Sequence, residues 1–501
     1  MNLSQFEPGR PSLEVASETL LSGIAKEPLP QFVIRDIHLD SRKVKPGTLF
    51  VALGGHREHG LRFAEQAAHQ GCSAILYDAG DTAMVRGLSI DIPLIAVDNL
   101  RHKLGKLADR FFGQPSKALE VIGITGTNGK TSCSHFLAEA IGSKRKAGVI
   151  GTLGWGTPGE LNPTTHTTLD VIETHRILHL MQHQGFRAVA MEASSHGLDQ
   201  GRLDDVRFQG AVFTNISRDH LDYHKTMEAY QEAKLKLLEC QTLKFVVFNR
   251  ADALSEPILS RRLANVRYIG FGPRGVSSVS GISVVEYDAV KHLSDGLNFQ
   301  IHFEGQWADV KVPIFGGFNV DNSAATIAAL MGLGYSLTDA VASMVHVLPV
   351  PGRMQNVSAA GRRAVIDYAH TPDALAKLLK TARAHCSGEL WVVFGCGGDR
   401  DCGKRPEMGA IADSLADRIV VTDDNPRNED PEVIIQQIVM GMTEHKPMEI
   451  RDRRCAIEHA LTNAKAEDLV VVAGKGHEDT QEIRGIKYPF RDIDVVEGFQ
   501  G

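Results

Sequence analysis

Short apolar runs rich in valine and isoleucine recur along this chain, each followed by a polar loop and then a helical pattern. Parallel strands need a long crossover between them, usually a helix, so this alternation commits the chain to parallel sheets covered by helices. The runs fall into three sets. The first holds "GTLFVAL" (47–53), "CSAILYD" (72–78) and "IPLIAVD" (92–98). The second holds "EVIGITG" (120–126), "GVIGT" (148–152), "AVAMEASS" (188–195), "AVFTNIS" (211–217) and "KFVVFN" (244–249), with an alternating, antiparallel style near 266–313. The third holds "AVIDYAH" (364–370), "LWVVFGCGG" (390–398), "RIVVTDDNPR" (418–427) and "DLVVVAGKGHE" (468–478). "FFGQPSKALE" (111–120) and "HVLPVPGR" (346–353) carry the Gly and Pro expected of boundaries.

A chain of 501 residues is too long for one core. The expectation is an α/β protein of three domains: a smaller N-terminal one over 1–114, a central one over 115–349 on a mostly parallel sheet, and a Rossmann-like C-terminal one over 350–501. A net charge of −7 argues against an electrostatic grip on nucleic acid or an acidic membrane. No apolar run approaches a membrane span, and "MNLSQFEPGRPSLEV" lacks a basic region followed by an apolar one, so neither membrane insertion nor a signal peptide is expected. Seven scattered cysteines with no CxxC pair fit a reducing cytoplasm.

Unusual polar residues cluster just after the strands, where open α/β sheets place ligands. "GITGTNGKTS" (123–132) comes close to a phosphate-binding loop, but Ile124 stands where the pattern wants its first glycine. The context is right. A strand leads in, and a helix leads out with Cys133, Phe136, Leu137, Ala140 and Ile141 on one face. Successive N–H groups of Gly126, Thr127, Asn128, Gly129, Lys130, Thr131 and Ser132 can converge on phosphate oxygens at a helix N-terminus. Lys130 can reach the terminal phosphates, and Thr131 can offer its hydroxyl to Mg²⁺. The loop is therefore read as a shortened ATP site. No Asn-Lys-x-Asp motif points to a GTPase, and the charge balance disfavours a motor or helicase. A kinase or a ligase remains.

"MEASSHGLDQGR" (191–202) ends a strand with Glu192, placed to hold Mg²⁺ beside Thr131. In "SRDHLDYH" (217–224), His220 and His224 have the spacing of a zinc pair, but no third ligand follows, and loop histidines are the simpler reading. "DNPR" (424–427) on its own reads as a turn, although Arg427 could grip a carboxylate through two parallel bonds. Arg400 and Glu478 come from neighbouring strand ends. Two arginines and one carboxylate would suit a ligand with both acidic and amino ends. Lys234, by composition alone, is a surface lysine on an amphipathic helix.

Taken together these motifs resemble the Mur ligases, ATP-dependent amino-acid-adding enzymes of bacterial cell-wall (peptidoglycan) precursor synthesis. The likeness spans nearly the whole chain and runs in the family's order: "LDSRKVKPGTLFVAL", "GTNGKTS", "MEASSHGLDQGR", "FTNISRDHLDYH", "EAKLKLL", "GGFNVDNSAA", "VPGRMQ", "VIDYAHTPDAL", "FGCGGDRDCGKRPEMG", "TDDNPR" and "AGKGHE". The shortened loop is the family's own variant.

The resemblance implies that the N-terminal domain binds a UDP-sugar through Leu39, Ser41, His56, Arg57 and Glu58. It implies that Thr167, Thr168, Ser194, Gln200 and Arg202 hold a muramoyl-dipeptide, with His166 standing where the family usually has asparagine and Leu169 where proline is common. Asn322, Arg353 and Asp367 match residues around adenine, phosphates and ribose. Lys234 matches a lysine carboxylated to a carbamate, which with Thr131, Glu192 and His220 would serve Mg²⁺; Lys130, Lys234, Glu192 and His220 form the implied catalytic set. The amino-acid group is Arg400, Asp424, Asn425, Pro426, Arg427, Gly474 and Glu478.

"DNPR" is the form of the motif in the branch that adds meso-2,6-diaminopimelate, whose second carboxylate would pair with Arg427. L-lysine would leave that guanidinium without its anion, and a buried unpaired charge costs several kcal/mol, roughly. The reaction implied joins diaminopimelate to the D-glutamyl γ-carboxylate of UDP-N-acetylmuramoyl-L-alanyl-D-glutamate through an acyl phosphate, in a cytoplasmic monomer whose C-terminal domain closes on the central one. Rivals are the lysine-adding branch, the folylpolyglutamate synthetases and a non-catalytic ATP-binding regulator. The synthetases lack the N-terminal unit and the "DNPR" cluster, and a regulator would be expected to lose Lys130, Glu192, His220 or Lys234.

Overall fold

The structure is a computed structural model that describes residues 13–26, 28–55, 58–164, 166–276 and 280–501. The chain divides into two compact units, one ending at Ile269 and the other beginning at Gly270.

The first unit carries two bodies of strands. Asp36–His38, Thr48–Ala52, Ala74–Asp78 and Leu94–Val97 form an all-parallel four-stranded sheet in chain order. Its strands are apolar on both faces because both are covered. Leu49, Val51, Ala74 and Leu76 pack on one side with the helix Leu100–Phe111, while Phe50, Ala52 and Ile75 pack on the other with the helix Ala64–His69.

The second body runs in the order Ala147–Gly151, Ala188–Glu192, Glu120–Thr125, Phe208–Phe213, Phe245–Asn249, all parallel. An antiparallel hairpin, Gly154–Thr157 and Glu160–Asn162, closes the edge beside Ala147–Gly151. The expected strands are all present, and the phosphate-loop strand lies centrally between Ala188–Glu192 and Phe208–Phe213. The helix Lys130–Gly142 that follows it is buried almost all round, from Ser132 to Ala138 and again at Ala140 and Ile141, where the sequence suggested one apolar face. Arg176, on the helix Val171–His183, pins the two bodies together: its guanidinium donates to Asp36 at 2.6 Å and to the Ile37 carbonyl at 2.7 Å.

The second unit opens with an antiparallel meander, Ser283–Leu293, Gly296–Phe303 and Gln306–Val312, as the alternating stretch near 266–313 led us to expect. Its main sheet runs Gln355–Ala359, Arg362–Asp367, Leu469–Ala473, Leu390–Phe394, Arg418–Val421, Met448–Glu449, parallel except for the first strand. The period-2 alternation of side chains divides each run between two cores. Val365, Val392, Phe394 and Val471 face one, and Ala364, Ile366, Val393, Val470 and Val472 face the other. A short hairpin, Thr480–Ile483 and Ile486–Pro489, follows the last strand.

The buried arginines Arg405 and Arg453 of this unit are paired in two-pronged fashion. Arg453 donates to both oxygens of Asp492 at 2.7 and 2.8 Å, with both side chains wholly shielded, and to the Ala473 carbonyl at 3.0 Å. Removing one partner strands the other charge in a medium that cannot solvate it. Arg453→Met should therefore destabilise this unit by about 3–5 kcal/mol, read as a fall in its denaturant midpoint, whereas an unchanged midpoint would mean the pair contributes nothing.

Candidate active site

The loop after Glu120–Thr125 is tied to the end of the neighbouring strand Phe208–Phe213. Thr127 N donates to the Asn215 carbonyl at 2.8 Å, and Asn128 N to Asn215 Oδ1 at 3.0 Å. The Thr214 hydroxyl donates to the Asn128 carbonyl at 2.6 Å. Gly126 sits at φ +150, and a Cβ there would stand 1.9 Å from Thr214 Oγ1, so only glycine lets the two strand ends approach this closely. The helix begins at Lys130, and its first intrahelical bond runs from Cys133 N to the Gly129 carbonyl. The N–H groups of a helix's first turn have no intrahelical carbonyl to bond, and here that turn, from Lys130 to Ser132, opens directly onto the loop, the arrangement that attracts a phosphate to a helix N-terminus.

Two lysines meet on one carbonyl of this loop. Lys130 Nζ donates to the carbonyls of Gly126 and Thr127, both at 2.9 Å, and Lys234 Nζ donates to Gly126 O at 2.7 Å. Lys234 is only 1% exposed and lies 4.3 Å over the Tyr230 ring, whose hydroxyl is 3.1 Å from Thr127 Oγ1. Burial, reinforced by the charge of Lys130, pulls the Lys234 amine down from 10.5 to about 6. The surface lysine that composition suggests is therefore a buried amine that holds its proton less tightly than an exposed one.

On the other side of the loop, Thr131 Oγ1 donates to both oxygens of Glu192 at 3.1 Å. Glu192 is 1% exposed, and burial raises its carboxyl above the usual range although Lys130 opposes the shift. Thr152 supplies its N–H at 2.8 Å and its hydroxyl at 3.1 Å to the same carboxylate. Gly151 makes the room: a Cβ there would stand 2.1 Å from Glu192 Oε1. A buried carboxylate beside a hydroxyl at a phosphate loop is the oxygen donor set that Mg²⁺ takes from protein, the rest coming from phosphate and water. Among the described residues no three His, Cys, Asp or Glu side chains converge on a point that could hold a metal ion. His220, at φ +52, has its ring 4.9 Å from that of His196 and 6.0 Å from that of Tyr230. His224 shares a hydrogen bond with the Ser195 hydroxyl through its Nε2 at 3.0 Å.

The residues expected to hold a dipeptide form one connected network with Glu192. Thr152 Oγ1, its proton on Glu192, lies 3.0 Å from the Thr167 hydroxyl and can accept from it; Thr168 Oγ1 donates to the Glu192 carbonyl at 3.2 Å, and Ser194 N to Thr168 Oγ1 at 3.1 Å. Arg202 spans the Thr168 carbonyl at 2.8 Å and the Gln200 side chain at 2.9 Å. The Ser194 hydroxyl caps the helix Ser195–Asp199. His166 is exposed beside this network, and Leu169 is buried. Of the expected UDP-sugar residues, Ser41 is buried against Gln66 at 3.3 Å, Leu39 is half-buried, and Glu58 accepts from Gly55 N at 3.1 Å. His56 and Arg57 lie outside the described residues.

In the second unit, Asn425 and Glu478 are locked together by a lysine that sequence reading passed over. Lys475, wholly buried, donates to Asn425 Oδ1 at 3.1 Å and to Glu478 Oε2 at 3.0 Å, while Asn425 Nδ2 donates to Glu478 Oε2 at 2.9 Å. Burial alone would raise the Glu478 carboxyl; Lys475 and the Asn425 amide overcome this and hold it below its usual range. Asp424 is shielded, and burial raises its carboxyl. Arg427, which follows Pro426, adopts the left-handed region at φ +49, and its Nη1 donates to the Gly398 carbonyl at 2.8 Å. Arg400 is exposed on the preceding loop, and Gly474 N donates to the Asp367 carbonyl at 3.1 Å. The Asp367 carboxylate accepts from Met354 N and Ala369 N at 2.8 and 2.9 Å, which sets the backbone next to Arg353. Asn322 donates to Asn319 at 2.7 Å.

A phosphate loop with a buried acid, and a separate cluster of arginines and carboxylates after the strands of a second sheet, define an acid-activating, amide-forming class of enzyme. Residues 33–112 match the Mur ligase family catalytic domain, 124–330 the Mur ligase middle domain, and 352–476 the Mur ligase glutamate ligase domain. The chain is 43% identical over 466 residues to the UDP-N-acetylmuramoyl-L-alanyl-D-glutamate–2,6-diaminopimelate ligase of Alkalilimnicola ehrlichii, covering 91% of this chain and 93% of that protein. It is 44% identical to the ligase of the same name from Chromobacterium violaceum, covering 93% and 94%. A solved structure of a ligase of that name superposes with a TM-score of 0.74 at 36% identity, covering 97% of this chain and 98% of that one. The chain belongs to the Mur ligase family and is an ATP-dependent, amide-forming ligase.

The Lys234 amine yields a pH test with a definite sign. Its folded value lies near 6 and its unfolded value near 10.5, so between them the unfolded chain binds the extra proton. Its contribution to stability therefore rises with pH through that window, by at most about 1.4 kcal/mol per unit. In buffer stripped of carbon dioxide, the melting temperature should climb relative to Lys234→Met between about pH 6 and 9; parallel curves would mean that Lys234 folds with its proton on.

Proposed function

We propose that this chain adds meso-2,6-diaminopimelate to the D-glutamate γ-carboxylate of UDP-N-acetylmuramoyl-L-alanyl-D-glutamate, releasing ADP and phosphate. It would act as a cytoplasmic monomer built from a UDP-sugar domain (1–114), an ATP domain (115–349) and an amino-acid domain (350–501). The names carried by the relatives support the substrate. So does Arg427, because an arginine fixed by a backbone carbonyl within a cluster that also holds Asn425 and Glu478 suits an amino acid with a second carboxylate at its far end.

A carboxylate and an amine do not condense at neutral pH, since the oxygen is a poor leaving group. The γ-carboxylate therefore attacks the γ-phosphorus of ATP, ADP departs, and an acyl phosphate remains. The amine of diaminopimelate attacks the acyl carbon, loses a proton, and phosphate leaves as the amide forms. Lys130 and the N–H groups at the head of its helix neutralise the charge on the transferring group. Thr131 and Glu192 would hold Mg²⁺, which when bound screens the repulsion between carboxylate and triphosphate. The network of Thr167, Thr168, Ser194, Gln200 and Arg202 would orient the dipeptide toward that point. Asn322, Arg353 and Asp367 would serve the nucleotide. Lys234, buried and close to the loop, adds carbon dioxide in its neutral form: its lone pair forms the N–C bond, a proton is lost, and a carbamate replaces the amine. That carbamate would complete the anionic side of the site, and His220 would offer it a neutral imidazole.

Phosphate release should require ATP, the UDP-linked dipeptide and diaminopimelate together. Replacing Lys130 by alanine should lower turnover by about a hundredfold or more. Equal release with L-lysine would defeat the choice of amino acid, and ATP binding without turnover would defeat the ligase reading.

A further inference from the structure

If Arg427 receives the far carboxylate of the amino acid, a second anion already stands beside it. Glu482 Oε2 lies 3.4 Å from Arg427 Nε. That position is built into the backbone. Glu482 N donates to Asn425 Oδ1 at 2.9 Å, and the Glu482 carbonyl accepts from Arg427 N at 3.0 Å. Arg484 N then donates to the Arg427 carbonyl at 2.7 Å. The strand Thr480–Ile483 is thus laced to the turn that carries the arginine, which fixes the Glu482 backbone beside Arg427 and leaves its side chain free to swing.

The neighbouring carboxylates have other duties. Glu429 forms a two-pronged pair with Arg405, at 2.9 Å on both oxygens. Glu478 accepts from Lys475 and Asn425. Of these three carboxylates, Glu482 is the one paired with Arg427. With Nη1 donating to Gly398, the Nε edge of the guanidinium is the one that could take a carboxylate through two parallel bonds, and Glu482 stands on that edge. The contact is longer than a hydrogen bond, and the two side chains are 20% and 31% exposed, so the pair is weak enough to exchange.

We propose that Glu482 sets specificity as a resident carboxylate on Arg427, which the far carboxylate of diaminopimelate displaces. This rests on the reading that Arg427 receives that carboxylate. Two consequences follow from charge alone. Diaminopimelate binds against the competition of Glu482, which weakens its affinity. An amino acid with no second carboxylate, such as lysine, leaves the Glu482–Arg427 pair intact and escapes the penalty of a stranded guanidinium. Glu482 therefore narrows the gap between the two amino acids.

The test is steady-state kinetics of the full chain with Glu482→Gln, which keeps shape and removes charge at a partly exposed site, alongside Arg427→Gln and the double variant. Glu482→Gln should lower KM for meso-diaminopimelate about two- to fivefold, with kcat and the KM values for ATP and the UDP-linked dipeptide unchanged. Preference over L-lysine, read in competition, should widen by at least the same factor, and the effect should vanish once Arg427 is glutamine. A rise in that KM would overturn the proposal by making Glu482 a support for the arginine. No change, or the same fall without Arg427, would overturn it too. Retention of the preference over lysine by Arg427→Gln alone would instead sink the reading on which it rests.

Discussion

Two lysine side chains share the carbonyl oxygen of Gly126, and the first unit's chemistry depends on how that crowding is resolved. Two ammonium groups held this close would repel strongly wherever water is excluded. Lys130 reaches back over the loop at the head of its own helix, beside the carbonyls of Gly126 and Thr127. Lys234 comes from a different helix and is sealed from solvent, which loosens its hold on a proton. The same residue type is thereby placed in two different settings on one carbonyl, by burial reinforced by the neighbouring lysine's charge.

The surrounding parts answer to the same constraint. Glu192 supplies a negative charge on the far side of Thr131, yet burial makes that charge costly, so Thr152 and Thr131 spend hydrogen bonds on it and glycine at 151 clears its space. The second unit solves the mirror problem. Its buried cations, Lys475, Arg405 and Arg453, are each tied to a carboxylate, and those pairs hold the loops after the strands in place. The Arg427 guanidinium is held by a bond to the Gly398 carbonyl and a longer contact with Glu482, in place of a two-pronged carboxylate pair.

The sheets were legible because parallel strands buried on both faces read as continuous apolar runs, and the loops after them carry the polar residues. The phosphate loop, Glu192 and the "DNPR" turn could be placed from those strand ends. The burial of Lys234 could not be read from composition, because a lysine on a helix looks alike whether its face meets solvent or the underside of a loop; family likeness alone pointed to it. The partners of the site residues were also hidden. Thr152, Thr214, Asn215, Tyr230 and Glu482 lie distant in sequence from the groups they hold, and a hydrogen bond across strands leaves no periodic trace. Lys475 had a usable signal, a lysine between two glycines just after a buried strand, where a charged residue so enclosed needs a partner.

The most direct measurement is ¹³C NMR of the protein in labelled bicarbonate at neutral pH, with Lys234→Ala as the control. The amine beneath the phosphate loop should take up one labelled carbon as a carbamate, and the signal should vanish in the control. Absence of any such carbon, together with a Lys234 side chain that titrates in the ordinary lysine range, would contradict the shared-carbonyl arrangement on which the rest is built.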